Sequence, residues 1–477
     1  MSSSGGIRTL AKDTGLFAIS TFGSKILVFL LTPLYTSILA TEEYGIADLI
    51  TTAVNLAYPI LTLAISEATL RYSMDKDEDE NKVLVNSLFF VIISSLVLLV
   101  LTPFARQLYA EIAEYWLVFV GIYFFFNIHN VLSNFCKGLG KTKLFAIQGI
   151  VQTITIVFCN ILFLLVFELG INGYLVSIFA GYFIPSILMV FAGKIYIYML
   201  PLVFDHRLVK RMLKYCLPMI PTLVAWSINT NIDKFMIIAF CGIGASGIYS
   251  VAHKIPTLMT AVLSVFLQAW QLSAINSYGD SNESNYYTSI YKALNLVSII
   301  GCFVIIISTQ LLSKLLFAND FYIAWRFVPF LTISALFSSN SGFISAAFKA
   351  AKKTNSMFYT VVIGSVVNVV LNYLLLNVFG TIGAAIATMI GFAIIWLFRI
   401  IMVQKIVRIH INILRTIISY MLLISAAFVF SFEISNYYLF VCILFGLTLL
   451  INMKDIVSIM LTTSSLIKVF LSNGRRL

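Results

Sequence analysis

Charge is scarce in this 477-residue chain: 11% of its residues are Asp, Glu, Lys or Arg, while 60% are apolar and the mean hydropathy is +0.98. Soluble domains carry about 25% charged residues, so a water-exposed surface along the whole chain is excluded. Long hydrophilic stretches are missing too. The longest polar connections, 71–82, 201–211 and 278–287, are too short to fold as soluble domains. The six cysteines are scattered and form no C-x-x-C pair, which supports neither a metal site nor a disulfide framework. A phosphate-binding P-loop, an H-E-x-x-H motif and a nucleophile elbow are all lacking, so the chain is not expected to be an enzyme. No cofactor is expected beyond a coupling ion, H+ or Na+.

What fills the chain is long apolar runs, too long and continuous for the alternating segments of a membrane β-barrel. The expected fold class is an all-α membrane protein of about 14 helices. The spans are expected near 14–39, 45–70, 83–104, 115–136, 143–168 and 171–199, then 212–240, 245–275, 289–318, 325–349, 355–379 and 380–404, and finally 412–431 and 436–452. Residues 1–13 are polar and no small-residue cleavage site follows the first run, so that run is expected to remain as a helix. Of the 31 Lys and Arg residues, Arg106, Lys314 and Arg326 fall outside and Lys25, Lys234 and Lys254 fall within spans when the N-terminus is cytoplasmic. The other basic residues, including the clusters Lys137/Lys141/Lys143, Lys349/Lys352/Lys353 and Arg399/Lys405/Arg408/Arg415, then share the cytoplasmic side. The net charge of +11 is therefore topological, and nucleic acid is not a partner. Both termini are expected inside, with Trp116 and Trp325 in an interfacial belt.

The chain also repeats itself. The stretch 348–392 matches 136–182: Lys349 overlays Lys137, Lys353-Thr354 overlays Lys141-Thr142, and Asn372 overlays Asn160. After a two-residue slip, Gly380, Gly383 and Gly391 overlay Gly170, Gly173 and Gly181. Farther upstream, Glu43-Tyr44-Gly45-Ile46 parallels Ala245-Ser246-Gly247-Ile248. Six spans per copy predict two parallel six-helix lobes, 1–200 and 201–410, around a central cavity, with two extra helices and a tail in 411–477. The G-x-x-G glycines are expected to allow tight turns. Asn160 and Asn372 are expected to bond across helices.

A charge within a span costs about 3 kcal/mol or more, so each one needs a reason. Lys25, Asp48, Asp233, Lys234, His253 and Lys254 lie on spans 1, 2, 7 and 8, and Glu67 with Arg71 marks the cytoplasmic end of the second as an expected salt bridge. The same spans carry Pro33, Pro59, Pro218, Pro221 and Pro256, which are expected to kink them. Candidate cavity residues are Lys25, Lys254, Lys234, Asp48, Tyr58 and Trp226. Candidates for ion coupling are Asp233, His253 and Glu67. Each has a plain alternative. Lys25 pairs with Asp233 to orient the lobes, Asp233 pairs with Lys254, Lys234 snorkels outward, and His253 is a hydrogen-bonded interfacial histidine.

Pro33-Leu34-Tyr35 with Glu43-Tyr44-Gly45, the segment Lys137…Lys141-Thr142, and Asn372…Gly380-Thr381-Ile382-Gly383-Ala384-Ala385-Ile386-Ala387-Thr388 resemble the polysaccharide flippases. These are the Wzx-type members of the multidrug/oligosaccharidyl-lipid/polysaccharide exporter superfamily. The resemblance implies a bacterial inner-membrane protein that turns undecaprenyl-diphosphate-linked oligosaccharide repeat units over for O-antigen (lipopolysaccharide), capsule or exopolysaccharide assembly. Its implied partners are the lipid-linked oligosaccharide, membrane lipid, a polysaccharide polymerase and a chain-length regulator. A cation-coupled multidrug exporter of the same superfamily is the alternative, although its cavity would be acidic. A membrane polysaccharide polymerase would need a large outward loop, which is missing.

Overall fold

The computed structural model describes residues 26–27, 29–75, 77–103, 113–279, 282–351 and 353–457. Lys25 lies outside them, as does half of the first expected span. The described residues are helical, with no strand among them. They form two compact units, Met1–Val251 with Leu316–Phe321, and Ala252–Leu315 with Tyr322–Leu477. The first unit thus takes in helices from both halves of the sequence.

The first unit holds α1 (Thr32–Ile38), α2 (Thr41–Leu61), α3 (Ile65–Ser73), α4 (Glu80–Val100), α5 (Trp116–Gly138), α6 (Thr142–Asn160), α7 (Gly170–Ala192), α8 (His206–Cys216), α9 (Ile220–Cys241) and α10 (Ile243–Ala252). The second holds α11 (Lys254–Asn276), α12 (Glu283–Leu316), α13 (Val328–Ala350), α14 (Thr354–Phe379), α15 (Thr381–Val403), α16 (Ile413–Ser431) and α17 (Tyr437–Ile451). Among the described residues ten helices are long and apolar enough to cross a membrane, and α2 with α3, bent by 63°, makes an eleventh if the pair is one span. The remaining expected spans are accounted for. The seventh forms as α9 but is too polar to pass that test, the last is the 15-residue α17, and half of the first falls on undescribed residues. This is a multi-pass membrane protein.

In the first unit α2 buries Ala47, Ile50 and Val54 against Phe119, Ile122 and Tyr123 of α5 and Ile171 and Leu175 of α7. A second core gathers Ala64, Ile65 and Ala68 around the break, with Val131, Leu132 and Phe135 of α5 and Leu208, Met212 and Cys216 of α8. Tyr35 and Tyr44 are buried with Tyr174, ring centroids 4.8 and 6.0 Å from it. Phe321 joins them at 5.8 Å from Tyr44, and the Thr36 hydroxyl donates to the Leu316 carbonyl at 3.0 Å. These contacts hold Leu316–Phe321 to the first unit. In the second unit α13 is the axis, buried along most of its length against α11, α15, α14 and α16. Trp270 stacks on Phe343 at 4.2 Å and donates to its carbonyl. Asn340 and Asn295 hold the Tyr420 hydroxyl, which ties α16 to this core.

The repeat is visible in the backbone. Gly170 and Gly380 both take positive φ (53° and 57°) at the start of the second helix of each pair. The matched Gly173 and Gly383 face matched residues: an added Cβ would lie 3.0 Å from the Phe163 carbonyl oxygen and 2.2 Å from that of Leu375. The two-residue slip has a structural form. The first copy absorbs its extra residues in the π-helical turn Ile161–Val166, whose ladder closes from Phe167 N–H to the Leu162 carbonyl.

Several expectations are corrected. Asn160 donates to the Ile156 carbonyl, four residues back in its own helix, rather than across, and Asn372 likewise donates to the Asn368 carbonyl in its own helix. Pro33, Pro221 and Pro256 stand in the first turns of α1, α9 and α11, where no helical donor is lost, and so they start helices rather than kink them. Pro59 is inside α2, and the break follows it at Leu63 and Ala64, both at positive φ. Trp325 is buried against Phe430 rather than exposed at an interface.

The basic helix α8 docks by polar contacts at its start. Asp205 caps it by accepting from the Arg207 and Leu208 N–H groups and pairs with Lys82 at 3.5 Å. Arg211 donates to both carboxylate oxygens of Glu78. The Leu208 N–H above all, then the Arg207 N–H and Lys82, hold the Asp205 carboxyl below its ordinary range. Its contribution is therefore present above the unfolded value of about 3.9 and is lost as pH falls through the folded one. Amides Val209 to Cys216 should show intrinsic-rate-corrected exchange protection that is constant from neutral pH to about 4. That protection should fall below it, whereas Asp205→Ala should show the reduced protection already at neutral pH and converge with the native chain at low pH.

A polar cluster on helices α2, α9 and α10

The cluster begins with a glycine crossing. Gly45 of α2 and Gly247 of α10, the residues paired by the repeat, pack backbone on backbone. A Cβ on Gly45 would lie 2.3 Å from the Ile243 carbonyl oxygen, and one on Gly247 would lie 2.1 Å from that of Thr41. Only glycine permits this approach. One turn further along each helix stand Asp48 and Ser250, at equivalent positions of the repeat. The Ser250 hydroxyl donates to Asp48 Oδ2 at 2.7 Å. The Lys234 ammonium of α9 lies 2.7 Å from the same oxygen and donates to Thr52 Oγ1 at 3.3 Å. Both charged side chains are shielded, 15% and 19% exposed. Lys234 therefore does not snorkel outward. Its charge is spent on Asp48.

Asp233, next to Lys234, points the other way and is 1% exposed. The Tyr249 hydroxyl donates to its Oδ2 at 3.1 Å. One turn before it, Asn229 is equally buried and neither atom of its amide has a hydrogen-bond partner among the described residues. A carboxylate and an amide oxygen four residues apart on one helical face are hard donors suited to a proton or a small monovalent cation.

The other candidates lie elsewhere. Tyr58 precedes the break of α2 and packs edge-on against Phe126 at 5.9 Å. Glu67 follows the break, with Lys137 and the Tyr58 hydroxyl as electrostatic neighbours. This replaces the expected pair with Arg71, which enters no ion pair among the described residues. Trp226 is 42% exposed on α9. His253 and Lys254 begin the second unit, where the His253 carbonyl accepts from the Thr257 hydroxyl at 2.7 Å. Sequence reasoning missed the neutral members, Thr52, Asn229, Tyr249 and Ser250. Ser250 was within reach, because it stands at the position of the repeat that Asp48 occupies.

A family profile described as "Polysaccharide biosynthesis protein" matches residues 10–271, more than half of the chain. The chain belongs to that family. A second profile, MatE, matches residues 218–374. An uncharacterized membrane protein of Methanocaldococcus jannaschii is 24% identical over 424 residues, 83% of this chain and 99% of the relative. Among solved structures, the lipid II flippase MurJ in an inward closed conformation superposes with a TM-score of 0.70 at 19% identity, covering 93% of this chain and 99% of that one. An inward-facing multidrug resistance MATE transporter of the MOP superfamily gives 0.66 at 16% identity, with 82% and 98% covered. The fold of this polysaccharide biosynthesis family member is thus the fold of those transporters.

The crossing makes a sharp test. Gly247→Val should unfold the first unit or lower the melting temperature by about 4 °C or more, since the clash is with backbone. Gly446→Ala, where an added Cβ meets nothing within 4 Å, should leave it unchanged. Equal effects in thermal unfolding would remove the crossing from the account.

Proposed function

We propose that this protein is a flippase that carries polyprenyl-diphosphate-linked oligosaccharide repeat units across the cytoplasmic membrane by alternating access, feeding O-antigen, capsule or exopolysaccharide assembly. The family match across residues 10–271 carries this reading, and the fold shared with a lipid II flippase supports it. Headgroup and diphosphate enter a polar pathway while the polyprenyl tail remains in lipid. Lys25 and Lys254 supply the positive charge for the diphosphate. Lys234 is not assigned that role, because Asp48 already neutralises it. Asp233 with Asn229 takes the coupling proton or cation, and His253 and Glu67 are secondary candidates. The flippase reading puts the protein in a bacterial inner membrane, and the placement of Lys and Arg favours both termini inside. A polymerase and a chain-length regulator are the partners this role calls for.

The MatE match over residues 218–374 favours a second reading, cation-coupled export of multidrug substrates. Proteoliposomes separate the two. The native protein should move a fluorescent polyprenyl-diphosphate oligosaccharide, while Lys25→Ala and Lys254→Ala should lose most of that rate and remain folded. Asp233→Asn should retain basal flipping and lose its response to an imposed H+ or Na+ gradient. Transport of cationic drugs alone would replace the flippase reading with the second one.

A further inference from the structure

Arg399 belongs to the basic cluster assigned by sequence to the cytoplasmic side, yet it is 2% exposed on α15. It makes its hydrogen bonds through Nε, to Thr360 Oγ1 at 3.1 Å, and through Nη1, to the Ser341 carbonyl at 3.1 Å and Ser345 Oγ at 2.7 Å. All three acceptors are neutral. Lys349, exposed at the end of α13, donates to Gln271 Oε1 at 2.9 Å, again a neutral group. The two cations are close enough to repel each other. Neither takes part in any ion pair among the described residues. Ser341, Ser345 and Lys349 recur every four residues, so they form one polar stripe along α13 from its exposed end inward. At the inner end the Ser341 hydroxyl is buried and has no partner among the described residues.

The repeat sharpens the point. In the first unit Lys137, matched to Lys349, has the Glu67 carboxylate as its electrostatic neighbour. In the second unit Lys349 faces an amide, and a buried arginine has been added. Built-in negative charge is gone while positive charge has grown. Burying a cation without a counter-charge is expensive, and an arginine left with its Nη2 edge unused presents a planar fork suited to phosphate oxygens.

We propose that Arg399 and Lys349 form an anion site for a phosphate group at the lysine-rich end of the second unit, with Ser341 and Ser345 supporting the buried end. The phosphate is either a lipid headgroup or a free phosphate or diphosphate. The site is a property of the second unit and stands whatever the protein transports.

Thermal unfolding of the purified full chain tests this. Inorganic phosphate and pyrophosphate are titrated in neutral detergent against sodium chloride at equal ionic strength. The protein is also compared in phosphatidylglycerol and phosphatidylcholine nanodiscs. At saturation the native protein should gain about 3 °C or more from at least one phosphate source. Arg399→Gln and Lys349→Gln should lose the gain. Because Lys349 is exposed, its variant carries the test if Arg399→Gln fails to fold. A response to soluble anions assigns a free phosphate or diphosphate, and a response confined to phosphatidylglycerol assigns a lipid phosphate. Absence of any phosphate-specific gain, or a Lys349→Gln variant that responds like the native chain, overturns the site.

Discussion

The first unit depends on how closely α2 and α10 approach at Gly45 and Gly247. Without side chains between them, the two backbones come into direct contact. That closeness is what lets Ser250 reach Asp48 one turn later, and α9 completes the arrangement by delivering Lys234 to the same carboxylate. A larger residue at either glycine would separate the helices and leave a charge in an apolar setting. In lipid such a group cannot turn to water, so packing and electrostatics have to be solved together.

The two units differ in the carboxylates they set against particular cations. In the first, Lys234 meets Asp48, Lys137 neighbours Glu67, Lys82 meets Asp205 and Arg211 meets Glu78. The second unit pairs Arg326 with Glu433 and Arg415 with Asp455 but leaves Arg399 and Lys349 to neutral partners. The pairing pattern indicates which lysines and arginines are committed to structure. Lys234 is committed. The uncompensated group on α13 and α15 is not.

The fold was legible because it is written in strong, redundant signals. Apolar runs, the duplicated lysine segment and the G-x-x-G turns each mark helices directly, and even the slip between the copies became a π-helical turn. The details of the site were less legible for physical reasons. Sequence marks charged residues in spans but not their direction, and adjacent Asp233 and Lys234 project to different partners. Proline was a poor guide because its effect depends on position: Pro221 begins a helix, whereas Pro59 sits within one. Neutral partners such as Thr52 and Asn229 carry no sequence signature at all. Arg399 looked like one more basic residue of the cytoplasmic side, and only packing revealed its burial.

The claim that Asp48 and Lys234 are one structural unit is tested most directly by a double-mutant cycle in thermal unfolding, using Asp48→Asn, Lys234→Met and the pair together. Each single variant leaves a shielded charge without its partner and should be destabilised by about 3 kcal/mol. The double variant removes both charges and should be clearly more stable than the sum of the single losses implies, with a coupling of about 1 to 3 kcal/mol. Additive losses would show that the two residues act independently, and the account of how α9 is held to α2 would fail.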